Sequence, residues 1–198
     1  MKLYVYALVP LGTVGPLGLG IEEEPLRLIP LGPLAAVVGE LDGRPSVAPA
    51  MLHAHDDVIR AIARASDAVL PLPFGAMVTG EDELAEGLRQ RSPALAQTLE
   101  STRGRDQMTL RLYADDVAPP DPTTSTLVVR VRDALGRLVR AERMELGTKP
   151  PLRITFFHLV DRARVDEYRH CARELSSGLT GARVEVTGPW PPYAFTEL

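Results

Sequence analysis

Histidine and cysteine side chains are the residues of this chain best suited to chemistry, and the first two lie close together. His53 and His55 precede two aspartates, a combination of residue types that could bind a metal ion. On a helix, however, residues two apart point about 200° away from each other, so the two imidazoles cannot converge on one ion. We therefore predict that His55 packs on the apolar side of a helix and that the chain binds no metal.

A second combination of residues could supply a nucleophile. His158, His170 and Cys171 include the Cys–His pair that thiol chemistry uses. Adjacent residues on a helix diverge by about 100°, so His170 does not reach the sulfur of Cys171, which we interpret as a small core residue. No paired carboxylates, Ser-His-Asp arrangement or zinc-binding spacing is found. The sequence thus predicts no catalytic residue and no cofactor.

One alternative stays open at this stage. A small-molecule-binding or catalytic α+β protein could have a pocket between two domains, in which His158, Cys171 and a carboxylate converge. A filled domain interface would argue against such a pocket.

Composition restricts the class of protein. The 198 residues are 45% hydrophobic and include 18 prolines and 16 glycines, which predicts a globular protein of several short elements. A single cysteine indicates the reducing cytoplasm. The net charge of -4 argues against nucleic-acid binding. No window approaches the roughly 20 apolar residues of a membrane-spanning helix, and Pro10 interrupts the apolar N-terminal run, so we expect no lipid-membrane partner and no signal peptide.

The first half of the chain alternates strand and helix patterns. An apolar first strand, a β-hairpin and an amphipathic helix are followed by a proline-bearing edge strand, a second helical region and another strand. These patterns lie at residues 2–9, 26–41, 49–67, 69–78, 79–99 and 108–113. They predict an α+β sandwich with helices on one face of a mainly antiparallel sheet.

A linker is predicted at residues 115–124, DDVAPPDPTT, because three prolines and three aspartates leave little to bury. Residues 1–114 and 125–198 would then form two small α+β domains, the second being smaller. In the second, a helix with apolar residues from Leu127 to Ala141 precedes a strand at 152–160, a helix capped by Asp161 and a last strand at 182–188.

Two surfaces are candidates for partner binding. The predicted helix after the linker carries five arginines: Arg130, Arg132, Arg137, Arg140 and Arg143. They could form a solvated face with local partners such as Asp133 and Glu142, or contact an acidic partner. From these we select Arg130, Arg137 and Arg140 as candidate contacts, together with Pro73 and Phe74 on the proline-bearing edge.

Three residues before the end of the sequence stands the run GPWPPYAF, residues 188–195, which continues from the last predicted strand. This run resembles the C-terminal signature of the gas vesicle protein F/L family. The resemblance extends to the first strand YVYALVP, to His55 before an aliphatic pair, to the LPLPFG turn at residues 70–75 and to the segment from Gly104 to Met108. The chain departs from the family pattern at Pro73, where an arginine is common, at Gln107, where a glutamate is common, and in a shorter second half.

The resemblance implies a fold and a role. It implies two α+β domains, the N-terminal one ferredoxin-like, in a cytoplasmic accessory protein of gas vesicle formation, and hence of buoyancy, without catalysis. It implies association with the small hydrophobic shell-forming protein and with other accessory proteins, either as a transient assembly factor or as a component of the vesicle.

Two interpretations of the terminal run follow. It is either an ordered segment that packs back on the protein or a polyproline ligand for a partner, and we favour the first. On this interpretation the signature residues are mainly structural: Gly188, Pro189, Trp190, Pro191, Pro192, Tyr193 and Phe195.

Overall fold

The structure of the protein, a computed structural model, describes residues 1–12, 15–114, 122–149 and 151–196. The chain divides into two compact units. The first unit combines Met1–Gly104 with Pro191–Leu198, and the second is Arg105–Trp190. The chain therefore leaves the first unit after Gly104 and returns to it at Pro191.

A five-stranded antiparallel sheet forms the centre of the first unit. Its strands are β1 (Lys2–Pro10), β2 (Arg27–Leu31), β3 (Leu34–Leu41), β4 (Leu70–Pro71) and β5 (Met77–Val78). The strand order is β2-β3-β1-β4, and β5 also pairs with β1. Residues 3–10 of β1 are all buried, as is typical of a central strand whose sequence is continuously apolar. The hairpin and the short edge strand agree with the predicted pattern.

Three helices pack on this sheet: α1 (Pro49–Ala65), α2 (Glu81–Arg89) and α3 (Ser92–Thr102). Helix α1 buries Val58, Ile59 and Ile62 in one apolar cluster with Tyr4 and Tyr6 of β1. The other two helices bury their leucines in a second cluster with Leu3, Val5 and Leu8 of β1. Helices therefore cover both faces of the sheet, which corrects the predicted arrangement on one face. The reason is that β1 carries apolar residues on both of its faces, so both faces of the sheet have to be covered.

The second unit has its own four-stranded antiparallel sheet. In chain order its elements are β6 (Arg105–Ala114), α4 (Pro122–Leu135), a 3-10 helix (Gly136–Leu138), β7 (Val139–Leu146), β8 (Leu152–Asp161), α5 (Val165–Ser177) and β9 (Ala182–Trp190). The strand order is β7-β8-β6-β9. This is the βαββαβ arrangement of ferredoxin-like domains.

The α+β class is confirmed in both units. The ferredoxin-like order, which the resemblance implied for the N-terminal domain, is found in the second unit. The first unit has a different order, in which three strands precede the first helix.

The division between the units differs from the predicted one. The prediction placed residues 105–114 in a domain of residues 1–114, but these residues form β6, which pairs with β8 and β9 of the second unit. The terminal residues from Pro191 belong to the first unit instead of the second. Of the predicted linker 115–124, residues 115–121 lie outside the described residues, and residues 122–124 begin α4.

The predicted helix from Leu127 to Ala141 is two elements. Helix α4 ends at Leu135, and residues 139–146 form the edge strand β7. Gly136 follows the helix directly, and Met144 and Leu146 of β7 pair with Phe156 and Ile154 of β8. Pairing with a buried neighbour thus outweighs the helical spacing of the apolar residues. Among the described residues, no helix is long and apolar enough to cross a membrane.

Candidate functional site

Three of the segments that carry the family resemblance, namely the first strand, the helix with His55 and the LPLPFG turn, converge in the first unit. Residues 70–71 pair with β1, and the backbone N–H of Gly75 donates a hydrogen bond to the Tyr4 hydroxyl at 2.9 Å. The Tyr4 hydroxyl also lies 3.0 Å from Nδ1 of His55 on α1. The ring centroid of Phe74 lies 5.6 Å from that of His55 and 6.2 Å from that of Tyr4. We call Tyr4, Tyr6, His55 and Phe74 the aromatic cluster.

His55 is held neutral inside this cluster. Its Nε2 lies 3.2 Å from the carbonyl oxygen of Leu72, which can only accept a hydrogen bond, so Nε2 carries the proton and Nδ1 accepts from Tyr4. Burial lowers the pKa of His55, and the side chain is only 5% exposed. The prediction that His55 packs on the apolar side of a helix is confirmed.

The terminal segment packs on α1 in the first unit. The Tyr193 hydroxyl donates a hydrogen bond to Oδ1 of Asp56 at 2.6 Å, and Nε of Arg60 donates to Oδ2 of Asp56 at 2.6 Å. Tyr193 packs against the apolar cluster of α1 and β1, and Phe195 is buried, as are both prolines before Tyr193. Burial and the hydrogen bond to Asp56 raise the pKa of Tyr193, so its hydroxyl remains a donor.

The beginning of the signature lies in the second unit, where β9 ends beside β6. Trp190 pairs with Gln107, and the Gly188 carbonyl oxygen accepts a hydrogen bond from Nη2 of Arg169 at 2.8 Å. Gly188 has φ of 116°, and a Cβ atom there would lie 2.8 Å from the Gln107 carbonyl oxygen. Glycine is therefore required at this position by both conformation and space.

Substituting Gly188→Ala is expected to lower the free energy of unfolding by about 2 kcal/mol, because strain and a backbone clash add. Gly181→Ala is the matched control, since Gly181 also has a positive φ, of 73°, but has open space where a Cβ would be. Strain alone predicts a loss of about 1 kcal/mol there. Urea unfolding followed by circular dichroism measures both. Equal losses in the two variants would contradict the close-contact argument.

The three candidate arginines lie on three different elements. Arg130 on α4 donates to the carbonyl oxygen of Gly178 at 2.8 Å. Arg137, in the 3-10 helix, lies 3.3 Å from Glu167, and Arg140 on β7 donates two hydrogen bonds to Oδ2 of Asp161, at 2.9 and 2.7 Å. The structure does not arrange these side chains on one helix face, which corrects the predicted basic helix at residues 130–143.

The local pairing of the arginines is extensive. Arg132 donates to Oε1 of Glu142 at 3.0 and 2.7 Å, the partner that the solvated-face interpretation named. Asp161, predicted as a helix cap, instead ends β8 and pairs with Arg140 and Arg105. Arg130 differs from these side chains, because no acidic partner lies beside it within the described part of the chain.

His158 is the centre of a second buried polar cluster, in the second unit. Its Nδ1 lies 2.7 Å from the Tyr168 hydroxyl and its Nε2 lies 3.2 Å from Oε2 of Glu142. Burial lowers the pKa of His158 to about 4, although the adjacent Glu142 opposes the shift. The side chain is 1% exposed, so its nitrogens are occupied by protein partners and closed to solvent.

Cys171 does not join His158 in a nucleophilic arrangement. Its sulfur lies 3.6 Å from Nη2 of Arg137, and the side chain is buried in the apolar core of the second unit. His170 is exposed and lies 3.4 Å from Glu174. Among the residues that the structure describes, no three His, Cys, Asp or Glu side chains group as metal ligands.

Sequence reasoning missed Asp56 as the partner of Tyr193 in the signature. It also missed Glu142 and Tyr168 as the partners of His158. Glu142 was assigned to a helix, where it could not face a strand residue. Tyr168 lies among the buried residues of α5, and a buried tyrosine hydroxyl needs a hydrogen-bond partner, which is the signal that could have found it.

The turn residues Pro73 and Phe74 have different surroundings. Pro73 is exposed, whereas Phe74 is half-buried against the aromatic cluster. Of these two candidate residues, Pro73 is thus the more exposed.

Comparison with known proteins gives concordant matches. The family model described as "Gas vesicle synthesis protein GvpL/GvpF" matches residues 2–127 and 123–197. The chain is 30% identical over 171 residues to gas vesicle protein F2 of Halobacterium salinarum, covering 83% of this chain and 77% of the relative. It is 29% identical to gas vesicle protein L of a Streptomyces species over an aligned length of 250, covering 98% of this chain and 92% of the relative.

Two crystal structures share the fold. That of the gas vesicle protein GvpF from Anabaena superposes with a TM-score of 0.84 at 14% identity and covers 100% of this chain and 96% of that one. That of GvpF from Microcystis aeruginosa gives a TM-score of 0.83 at 13% identity and covers 100% of this chain and 99% of that one.

Proposed function

The chain belongs to the GvpL/GvpF family of gas vesicle synthesis proteins, and from this premise we propose that it is a non-enzymatic accessory or minor structural protein of gas vesicle assembly. The observation that carries the proposal is the extent of the family match, which covers both compact units and includes the terminal signature. The family ties the chain to gas vesicles, and the more specific role is our proposal.

The proposed partners are the hydrophobic shell-forming subunit and other accessory proteins of the vesicle. A shell subunit with an apolar gas-facing surface would aggregate before incorporation, so a protein that covers or delivers it solves a physical problem of assembly. We propose that this occurs in the cytoplasm and at the nascent vesicle.

The polar clusters support a role without catalysis. His55 and His158, the two histidines inside the folded units, each use both ring nitrogens within the protein. Both are neutral near pH 7 because burial lowers their pKa values. Such groups stabilise a fold, and neither is placed to exchange protons with a bound molecule.

Several exposed groups are candidates for the partner contact. Arg130 and Pro73 are exposed, and Arg130 would give up only a hydrogen bond to a backbone carbonyl oxygen, so we place them first. Arg137 and Arg140 would have to give up contacts with Glu167 and Asp161 to reach an acidic partner, and Phe74 is partly enclosed by the aromatic cluster. Their contributions to binding should therefore be smaller.

A binding and localisation experiment tests the proposal. The full chain is expected to retain the shell-forming subunit of the same organism in a pull-down, and deletion of its gene is expected to reduce vesicle formation. Washing purified vesicles then separates the two roles, because an integral component stays with them and a transient assembly factor does not. Absence of shell-subunit binding together with normal vesicle formation in the deletion strain would overturn the proposal.

A further inference from the structure

A groove runs between helix α5 and strand β9 in the second unit. One helix face contributes residues spaced three and four apart, and the strand contributes two valines that lie on the same face of the sheet. The lining residues are Arg169, Ala172, Arg173, Ser176, Val184 and Val186, and the groove encloses about 410 Å³. All of them lie in the described part of the chain.

The strand side of this groove is a sheet edge. β9 is the last strand in the order β7-β8-β6-β9, so within the described residues no strand pairs with its outer side. Val184 and Val186 pair with Leu112 and Leu110 of β6, and both pack against the core of the second unit. An open edge strand beside a helix can accept an extended peptide as an additional strand, whose alternate side chains then enter the groove.

The rim of the groove is positively charged. Arg169 is engaged, since it donates to Asp166 at 3.1 Å and to the Gly188 carbonyl oxygen. The Nε of Arg173 donates only to the carbonyl oxygen of Arg169, at 3.3 Å, and within the described residues no carboxylate lies beside its guanidinium. A partner segment with a carboxylate near its apolar residues would complement this rim.

We propose that this groove binds an extended segment of the shell-forming subunit, which adds to the outer side of β9, places apolar side chains against Ala172, Val184 and Val186, and pairs a carboxylate with Arg173. The inference rests on the proposed function, because it names where that partner is held. Main-chain hydrogen bonds to β9 supply affinity, while the apolar floor and Arg173 select the segment.

Two groove variants of the full chain test the inference against the purified shell-forming subunit. Ser176→Trp fills the groove, and Arg173→Glu reverses the charge at its rim. Each is expected to weaken binding at least about tenfold, as for the loss of a central contact in an interface. Ser177→Trp is the control for the first, because Ser177 is the exposed neighbour on the same helix. Arg89→Glu, on α2 of the first unit, is the control for the second.

Hydrogen exchange gives a readout that a merely structural effect would not produce. Binding is expected to slow exchange of backbone amides in residues 182–187, and Ser176→Trp is expected to abolish that change while circular dichroism shows an unaltered fold. If Ser176→Trp perturbs the fold, Arg173→Glu decides the question.

The two proposals fail differently. Failure of the parent chain to bind the shell subunit would sink the proposed function. Binding that is unchanged in both groove variants, or protection confined to another strand, would overturn only the groove.

Discussion

Truncation after Gly188 is expected to lower the free energy of unfolding of the first unit by about 5 kcal/mol. The deletion removes buried Phe195, for which loss of an aromatic core side chain alone accounts for about 3 to 5 kcal/mol. It also leaves Asp56 without the hydrogen bond from Tyr193, which contributes about 1.5 to 3 kcal/mol because the acceptor is charged. Urea unfolding of the purified chain measures the loss.

Graded variants separate the contributions of this segment. Truncation after Thr196 is the control, because it retains both Tyr193 and Phe195 and should change stability little. Tyr193→Phe keeps the ring and removes only the hydrogen bond to Asp56, so it should fall between the two truncations. A chain truncated after Gly188 that unfolds like the full chain yet fails to support vesicle formation would contradict this account and favour the polyproline-ligand interpretation.

The same contacts decide how the protein can be divided. The second unit is inserted between Gly104 and Pro191. Cutting the chain at the predicted linker would therefore separate β6 from the rest of the second unit, and the terminal segment from the rest of the first unit. Loss of binding by such halves would report misfolding. Point variants of the full chain are therefore the sounder test of any binding surface.

Local patterns predicted the local structure well. The apolar stripe of α1 and the apolar run of β1 depend on residues close in sequence, so spacing alone identifies them. The hairpin of β2 and β3 has its two-residue turn at Gly32 and Pro33, as the turn chemistry indicates.

Long-range pairing was beyond the reach of these patterns. β6 reads as a strand from its alternation, but nothing local says that its partners are β8 and β9. The segment VRAERMEL carries apolar residues at spacings compatible with either helix or strand, and pairing with β8 decides the outcome. For the same reason Glu142 could not be recognised as the partner of His158.

The two buried histidines reveal a shared arrangement in the two units. In each, a tyrosine hydroxyl lies beside Nδ1, and Nε2 faces an oxygen acceptor: the Leu72 carbonyl for His55 and the Glu142 carboxylate for His158. Both arrangements need a neutral imidazole whose Nε2 carries the proton and whose Nδ1 accepts a hydrogen bond from the tyrosine hydroxyl. Protonation of either histidine would turn that nitrogen into a donor facing a hydroxyl that must reorient.

Acidification is therefore expected to destabilise the protein between about pH 6.5 and pH 4. The unfolded chain binds a proton at an ordinary histidine pKa near 6.5, whereas folded His158 does so only near its pKa of about 4. Stability from this group is thus fully present above pH 7 and is lost as pH falls, by about 3 kcal/mol at pH 4. His55, whose pKa is also lowered, adds a loss in the same direction.

The slope of stability against pH identifies the groups responsible. Burial raises the pKa of Glu142, but Arg132 and His158 together lower it by more, so the net shift is downward. The stability contribution of Glu142 is therefore lost only below its ordinary pKa of 4.5. The interval from pH 6.5 to 5 consequently reports the histidines. His158→Gln should flatten the slope there whatever its absolute stability, whereas His53→Gln, at an exposed position of α1, should leave the slope unchanged. An NMR titration that gave His158 an ordinary pKa near 6.5, or an unaltered slope in His158→Gln, would show that acid acts elsewhere.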